Sequence, residues 1–315
     1  MYYIGLDIGG TKCAATLGKI KADKPEIIKK DYFLTLDGEP YRILERFSAF
    51  IEKVKSDYPL RGIGVSCGGP LDSKNGVVMR PPSLPKWDGV KVVEYFQNKF
   101  GIPTRLKNDA DACAVAEWKY GAGKGSKNMA FLTFGTGFGA GLILDGKLYS
   151  GACDNAGEIG HVRLTDKGPE GYRKKGSCEG YCSGSGMVRL ADIMKTRKSL
   201  KQSYDDFLSA VNDEVSAKTM AEYARRGNAF CKAVYKKSGR MLGRAVSILI
   251  DLLNLDTIVI GGIYMRAHDL LYPEAITVMK QECLLSSLEK VKILPAKLSE
   301  NIGDVAALSV AKGDY

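Results

Sequence analysis

Tyr2-Tyr3-Ile4-Gly5-Leu6-Asp7-Ile8-Gly9-Gly10-Thr11-Lys12 reads as an apolar strand, a glycine turn and the start of a second strand. Asp7 falls where the strand runs into the turn. Gly9 and Gly10 let the backbone turn tightly and approach a bound group closely. Thr11 and Lys12 then present a hydroxyl, an amide and a positive charge, a set that suits phosphate and magnesium. An ordinary hairpin with a Gly-Gly turn uses the same residues, and this segment taken alone supports both readings.

A second stretch repeats the design. Phe131-Leu132-Thr133-Phe134-Gly135-Thr136-Gly137-Phe138-Gly139-Ala140-Gly141-Leu142-Ile143-Leu144 is again apolar strand, glycine turn with a threonine, apolar strand. A dinucleotide fold would need a helix after these glycines; here a strand and an Asp145-Gly146 turn follow. No GxxxxGK[ST] sequence occurs. Two hairpin cradles, one near the start of each half, point to a duplicated α/β fold that grips a nucleotide between two lobes.

The 315 residues suffice for two domains of ordinary size. Hydrophobic content of 45% and charged content of 26% are those of a globular protein. No apolar run is long enough to cross a membrane and no signal-peptide pattern opens the chain, so a cytoplasmic protein is expected. Eight scattered cysteines then read as buried free thiols. The formal charge of +10 is spread over many short basic stretches, which read as solvated faces or a general field that attracts anionic ATP.

The first half reads as strands over 2–8, 12–20 and 26–36, then a helix carried by Ile43, Leu44, Phe47, Phe50, Ile51 and Val54. A short strand ends at Cys67-Gly68-Gly69-Pro70, and another over 104–107 leads into a helix over 112–120. Gly121 to Lys127 is the candidate hinge. The second half restarts at Phe131 and passes through an irregular segment over 150–186. Two helical stretches follow, the second very long, then strands over 257–262 and 290–298 and a helix of small residues near the end.

Asp109, at a strand end beside Asn108, is the candidate base, since a carboxylate there can take a hydroxyl proton as phosphate is transferred. Its alternative role is the N-cap of the following helix. Glu158, His161 and Glu179 offer acceptors and a donor in the irregular segment; a backbone-bonded core histidine followed by a strand over 162–164 is the ordinary reading of His161.

Together, Asp7-Ile-Gly-Gly-Thr-Lys12, Asn108-Asp109-Ala110, Gly135-Thr-Gly-Phe-Gly139, Glu158-Ile-Gly-His161, Glu179 with Tyr181 and Ser183-Gly184, and Ile260-Gly-Gly262 resemble the ROK family (repressors, open reading frames, kinases) across the whole chain. The resemblance implies the actin/hexokinase-like ATPase fold, two RNase H-like α/β lobes around a central cleft. The lobes would be 1–120, completed by a C-terminal helix over 301–315, and a larger lobe over 121–300. It implies an ATP- and Mg2+-dependent kinase acting on a hexose or N-acetylated amino sugar, with glucose the first choice. By resemblance Asp109 is the base for a sugar hydroxyl, usually on carbon 6, and Gly69, Asn108, Glu158, His161 and Glu179 are sugar ligands with it. Gly9, Gly10, Thr11, Lys12, Gly135, Thr136 and Gly137 resemble the phosphate turns, and Gly261 and Gly262 the adenosine-side turn. Asp7 resembles the carboxylate that holds magnesium through water.

The chain departs from the family at its zinc motif. Three cysteines expected there are replaced by Glu170, Tyr172 and Ser177, with Cys178 one residue away. Tetrahedral zinc needs four placed N or S ligands, so no zinc is expected, and a carboxylate or carbonyl must orient His161 instead. The family also contains sugar-responsive repressors, which carry a helix-turn-helix before the first cradle. The cradle begins here at Tyr2, so nucleic-acid binding is not expected. A non-catalytic sugar sensor is the alternative to a kinase, and a homodimer is the family expectation.

Overall fold

The computed structural model describes residues 1–21 and 24–315. Strands β1 (Tyr2–Ile8), β2 (Lys12–Lys21) and β3 (Lys24–Leu34) form an antiparallel meander. Helix α1 (Pro40–Lys55) follows, with proline in its first turn, where a missing N–H costs nothing. β4 (Leu60–Cys67) returns parallel to β1. Beyond β4 come three short strands, β5 (Leu71–Asp72), β6 (Val77–Met79) and β7 (Asp88–Val90), and helix α2 (Val92–Phe100). β8 (Thr104–Asn108) then pairs parallel with β4, giving the order β3-β2-β1-β4-β8. Helix α3 (Asp109–Tyr120) leaves its end.

The two-residue period of a strand sorts this sheet into two faces. Ile4, Leu6 and Ile8 of β1, with Ile63, Val65 and Cys67 of β4, share a core with Ile43, Leu44, Phe47 and Ile51 of α1. The alternate residues, Tyr3, Gly5 and Asp7 with Gly62 and Gly64, meet the last helix, α12 (Ile302–Lys312). That helix lies almost on the strand backbone. A Cβ on Gly64 would stand 2.2 Å from the Ala307 carbonyl oxygen, and one on Gly5 2.9 Å from the Ala307 Cβ.

The second sheet repeats the first. β9 (Met129–Phe134) and β10 (Phe138–Leu144) form a hairpin, and β11 (Lys147–Tyr149) continues it antiparallel. Past an irregular run holding the paired strands β12 (Glu170–Gly171) and β13 (Lys174–Lys175) come helices α4 (Cys178–Tyr181), α5 (Gly184–Met194), α6 (Lys201–Ala210), α7 (Ala217–Arg225) and α8 (Ala229–Leu253). β14 (Thr257–Ile260) pairs parallel with β9, helices α9 (Ile263–Arg266), α10 (His268–Glu282) and α11 (Leu285–Leu288) follow, and β15 (Lys292–Pro295) pairs parallel with β14. The order β11-β10-β9-β14-β15 matches the first sheet strand for strand.

The chain divides into two compact units, both discontinuous in sequence. Residues 1–127, 141–156 and 297–315 make one, and 128–140 with 157–296 the other.

Several sequence expectations need correction. Two helical stretches were expected before β14 and four longer helices stand there: a Ser216–Thr219 capping box opens α7 and Asn228 caps α8. The strand expected over 162–164 is absent; Arg163 makes one isolated bridge to Ser177. The strand expected over 290–298 ends at Pro295, because the Lys297 and Leu298 amides donate instead to the buried carboxylate of Glu117, at 2.9 and 2.8 Å. Pro273 inside α10 breaks the helical signal of that stretch in the sequence.

Gly64→Ala tests the contact between sheet and helix. Removing a strand glycine gains roughly 0.5–1 kcal/mol of chain entropy, whereas forcing a methyl into close-packed backbone costs about 1–3 kcal/mol. The second effect is larger, so urea unfolding will show a less stable protein; equal or higher stability would mean that α12 yields easily.

Candidate active site

Asp7 is the last alternate residue of β1 on the α12 face. A Cβ on Gly303 at the start of α12 would lie 3.2 Å from its Oδ2, so the helix begins directly over the carboxylate. Burial pushes Asp7 up to about 6, and the negative charges of Asp109 and Asp304 add to the rise against a hydrogen bond from Ser66. A cavity of about 500 Å³ opens beside it, with Lys12, Lys30, Tyr32 and Asp304 on its walls. Gly9, Gly10 and Thr11 form the turn between β1 and β2. Their packing explains the glycines: a Cβ on Gly9 would meet the Lys12 carbonyl at 2.6 Å and one on Gly10 the Ser83 Cβ at 2.5 Å.

Asn108 and Asp109 stand at the junction of β8 and α3. Asn108 caps the helix, its Oδ1 accepting from the Ala110 amide at 2.9 Å, so the cap that was the alternative role of Asp109 belongs to its neighbour. Asp109 Oδ1 also accepts from Ala110 N, at 2.8 Å. The residue is exposed, yet protein packed around it desolvates its carboxyl and raises it above the usual carboxylate range, against the backbone N–H groups that favour its charge. Gly68 and Gly69 face this pair: built Cβ atoms would lie 3.9 Å from Asp109 Oδ2 and 3.0 Å from Asn108 Nδ2. The first unit therefore brings Gly69, Asn108 and Asp109 together.

Behind them lies a polar network that sequence reasoning missed. Asp111, only 2% exposed, accepts from Ser150 Oγ at 2.6 Å. Lys107 donates to Ser73, which donates through its amide and hydroxyl to Asp154. Burial pushes Asp111 up to about 7; Ser150 and Lys107 lower it, Asp154 and Asp109 raise it.

In the second unit, the Gly135–Gly137 turn joins β9 to β10. Gly184 N, at the start of α5, donates to the Gly135 carbonyl at 2.8 Å, and Ser185 Oγ donates to the Thr136 carbonyl. Gly262 takes the left-handed region, φ 66°, and a Cβ there would lie 2.2 Å from the Phe134 carbonyl. The Gly261–Gly262 turn thus packs on the glycine turn. Glu179 Oε2 accepts from Phe138 N at 3.3 Å and sits 3.0 Å from where a Gly137 Cβ would be. Gly160, in the short 3₁₀ turn Ile159–His161, lies against Phe138 and Glu179.

Glu158 Oε2 approaches His161 Nε2 at 3.6 Å. Tyr172, at a position where the family's cysteine was expected, meets the imidazole edge-on with ring centroids 4.1 Å apart. Lys174 donates to the His161 carbonyl at 2.8 Å. Ser177 instead caps α4, and Glu170 lies in β12. The Tyr172 ring and the Glu158 carboxylate are thus the neighbours of the His161 imidazole. Among the described residues no three His, Cys, Asp or Glu side chains converge as a ready-made metal cage.

A separate cavity of about 480 Å³ begins at Ile263, next to Gly262. Ala217 and Ala221 of α7 and Tyr235 of α8 give it apolar walls, and Lys218, Glu222, Arg225 and Arg266 a charged rim. Its walls come from three separate helices, α7, α8 and α9, so no single local motif announces it.

A sequence profile described as the ROK family matches residues 3–314. A glucokinase of Halalkalibacterium halodurans is 32% identical over 278 residues, covering 86% of this chain and 82% of its own. The DNA-binding transcriptional repressor Mlc of Escherichia coli is 26% identical over 292 residues, covering 92% of this chain and 69% of its own. Among solved structures, a ROK family glucokinase from Streptomyces griseus, in complex with glucose and AMPPNP, superposes with a TM-score of 0.81 at 25% identity over 99% of both chains. The fold is that of the actin/hexokinase-like ATPases, as the doubled strand order also indicates. No helix among the described residues is long and apolar enough to cross a membrane.

Asp111 carries a pH signature. Its carboxyl titrates near pH 3.9 when unfolded and about 7 when folded. Between those values the folded chain binds more protons, so this residue's contribution to stability falls as pH rises from about 4 to about 7. Asp111→Asn keeps an acceptor for Ser150 and has no charge. Thermal melts will show the variant gaining on wild type from pH 5 to pH 8; a constant difference would mean Asp111 is ionised throughout.

Proposed function

The chain belongs to the ROK family, and we propose that it is a sugar kinase that transfers the γ-phosphoryl group of ATP to a hydroxyl, on carbon 6 in the simplest case, of a hexose or N-acetylated amino sugar. The observation that carries this reading is Asp109: an exposed carboxylate with raised proton affinity, beside Asn108 and Gly69 at a strand end. A base must be deprotonated at working pH yet hold a proton well once it takes it, and a raised carboxyl meets both needs better than an ordinary one. Asp109 accepts the hydroxyl proton, the sugar oxygen attacks the γ-phosphorus, and ADP leaves with the electrons of the broken P–O bond.

In this reading Asn108, Glu158, His161 and Glu179 bind the sugar with Gly69. Gly9, Gly10, Thr11 and Lys12, and Gly135, Thr136 and Gly137, meet the phosphates by close backbone approach and by the Lys12 charge. Gly261 and Gly262 meet the adenosine, with the cavity at Ile263 taking the base. Asp7 fits a magnesium ion: its proton affinity is raised partly by neighbouring carboxylates, and a divalent cation relieves that repulsion. Magnesium commonly keeps its waters and takes one or two carboxylates plus substrate phosphates, and when bound it would neutralise charge building on the transferred phosphate. Glucose is the first sugar to test.

A second reading, a sugar-sensing regulator without catalysis, is favoured by the likeness to Mlc across most of this chain. A coupled ADP-release assay with glucose, mannose, fructose, allose, N-acetylglucosamine and N-acetylmannosamine separates the two: a kinase turns over with at least one, a sensor with none. Asp109→Asn will lower turnover by roughly 10²–10⁴ while calorimetry shows sugar affinity within a few-fold. Turnover close to wild type would remove Asp109 from the role of base.

A further inference from the structure

The cavity beside Asp7 holds a cation that the reading above leaves without a task. Lys30, on β3, reaches across the sheet to Asp304 in the first turn of α12, 2.6 Å from Nζ to Oδ2. Asp304 is buried, and its other oxygen accepts from Thr16 Oγ1 at 2.7 Å. The Lys30 side chain remains 39% exposed and lines the same cavity as Asp7 and Lys12.

We propose that Lys30 is a nucleotide-phosphate ligand, parked on Asp304 until a polyphosphate enters the cavity beside Asp7. The inference rests on the kinase reading, since it takes that cavity to receive the phosphate end of ATP.

Three features support a transferable ammonium rather than a fixed staple. First, an ammonium is a compact charge on a long flexible stem with three donors, well suited to exchanging one anion for another. Second, Asp304 keeps support when Lys30 leaves: Thr16 still donates to it, and the N-terminal end of α12 favours negative charge. Third, Lys12 and Lys30 line the same cavity as Asp7 and Asp304. An entering phosphate with its cation can satisfy both signs, the ammonium groups meeting phosphate oxygens and Asp7 the metal side. Asp304 is buried, so the charge left when Lys30 moves must be offset by the Thr16 bond and the helix end.

Isothermal titration calorimetry on the full chain provides the test, with magnesium-AMPPNP and with AMP as ligands. Lys30→Met will weaken magnesium-AMPPNP binding about tenfold, the size of one charge-assisted contact, and leave AMP binding unchanged. Asp304→Asn, which keeps the Thr16 bond but releases Lys30, will bind magnesium-AMPPNP as tightly as wild type or more so. Should Lys30→Met melt early, Lys30→Gln, with a shorter neutral donor, replaces it.

A staple predicts the reverse: both substitutions lower the melting temperature alike, with no selective loss for the longer phosphate. That result overturns the proposal, as does an Asp304→Asn variant that loses magnesium-AMPPNP as Lys30→Met does. If wild type binds magnesium-AMPPNP and Lys30→Met binds it equally, this inference fails while the kinase reading stands. If wild type binds no magnesium-AMPPNP, both fail.

Discussion

The near-contact of α12 with the backbone of β1 and β4 governs the first unit. A helix can come this close only where the strands lack side chains, and Gly5, Gly62 and Gly64 supply that strip while Ala307 and Ala311 keep the helix side small. The close docking fixes the height and tilt of the helix, and so where its first turn lands. Gly303 then covers Asp7, and Asp304 is carried inward to Thr16 and Lys30. A larger residue in the strip would lift the helix and loosen every group at its N-terminal end.

Both sheets carry a glycine turn at the same topological point, after the first strand. A turn there can be bare backbone because the flanking strands are fixed by their ladders on both sides. Bare backbone in turn permits close neighbours: Ser83 against Gly10, Glu179 against Gly137, the Phe134 carbonyl against Gly262. Desolvation raises the proton affinity of Asp7 at the end of β1 and of Asp109 at the junction of β8 and α3. Groups so placed favour a proton or a cation.

Local features were legible in the sequence. The glycine turns, the strand leading to Asn108 and Asp109, the amphipathic α1 and the long α8 all follow from short-range pattern, and the two-residue period of β1 carries Asp7 to a definite face. Features built from distant residues were not legible. Lys30 and Asp304 are separated by most of the chain, the walls of the Ile263 cavity come from α7, α8 and α9, and Asp111 looks like any acid near a helix start until Ser150 is seen beside it. Tyr172 gave no signal either, because an aromatic in an irregular loop has no period; only the missing cysteines marked its position as one where something else must hold His161.

Glu117 has a further consequence. This buried acid at the end of α3 accepts from Ala122 just after it and from Lys297 and Leu298 immediately before α12. During synthesis the Lys297 and Leu298 amides arrive some 180 residues after Glu117, and the helix that covers the glycine strip comes just behind them. The nascent first sheet therefore waits with one face uncovered, and the acid with part of its bonding unmet, while the second unit is made. Contacts so distant along the chain also slow folding in a test tube, since a large loop must close before they form. The last helix acts as a late latch, and its arrival sets when the first half of the protein becomes native.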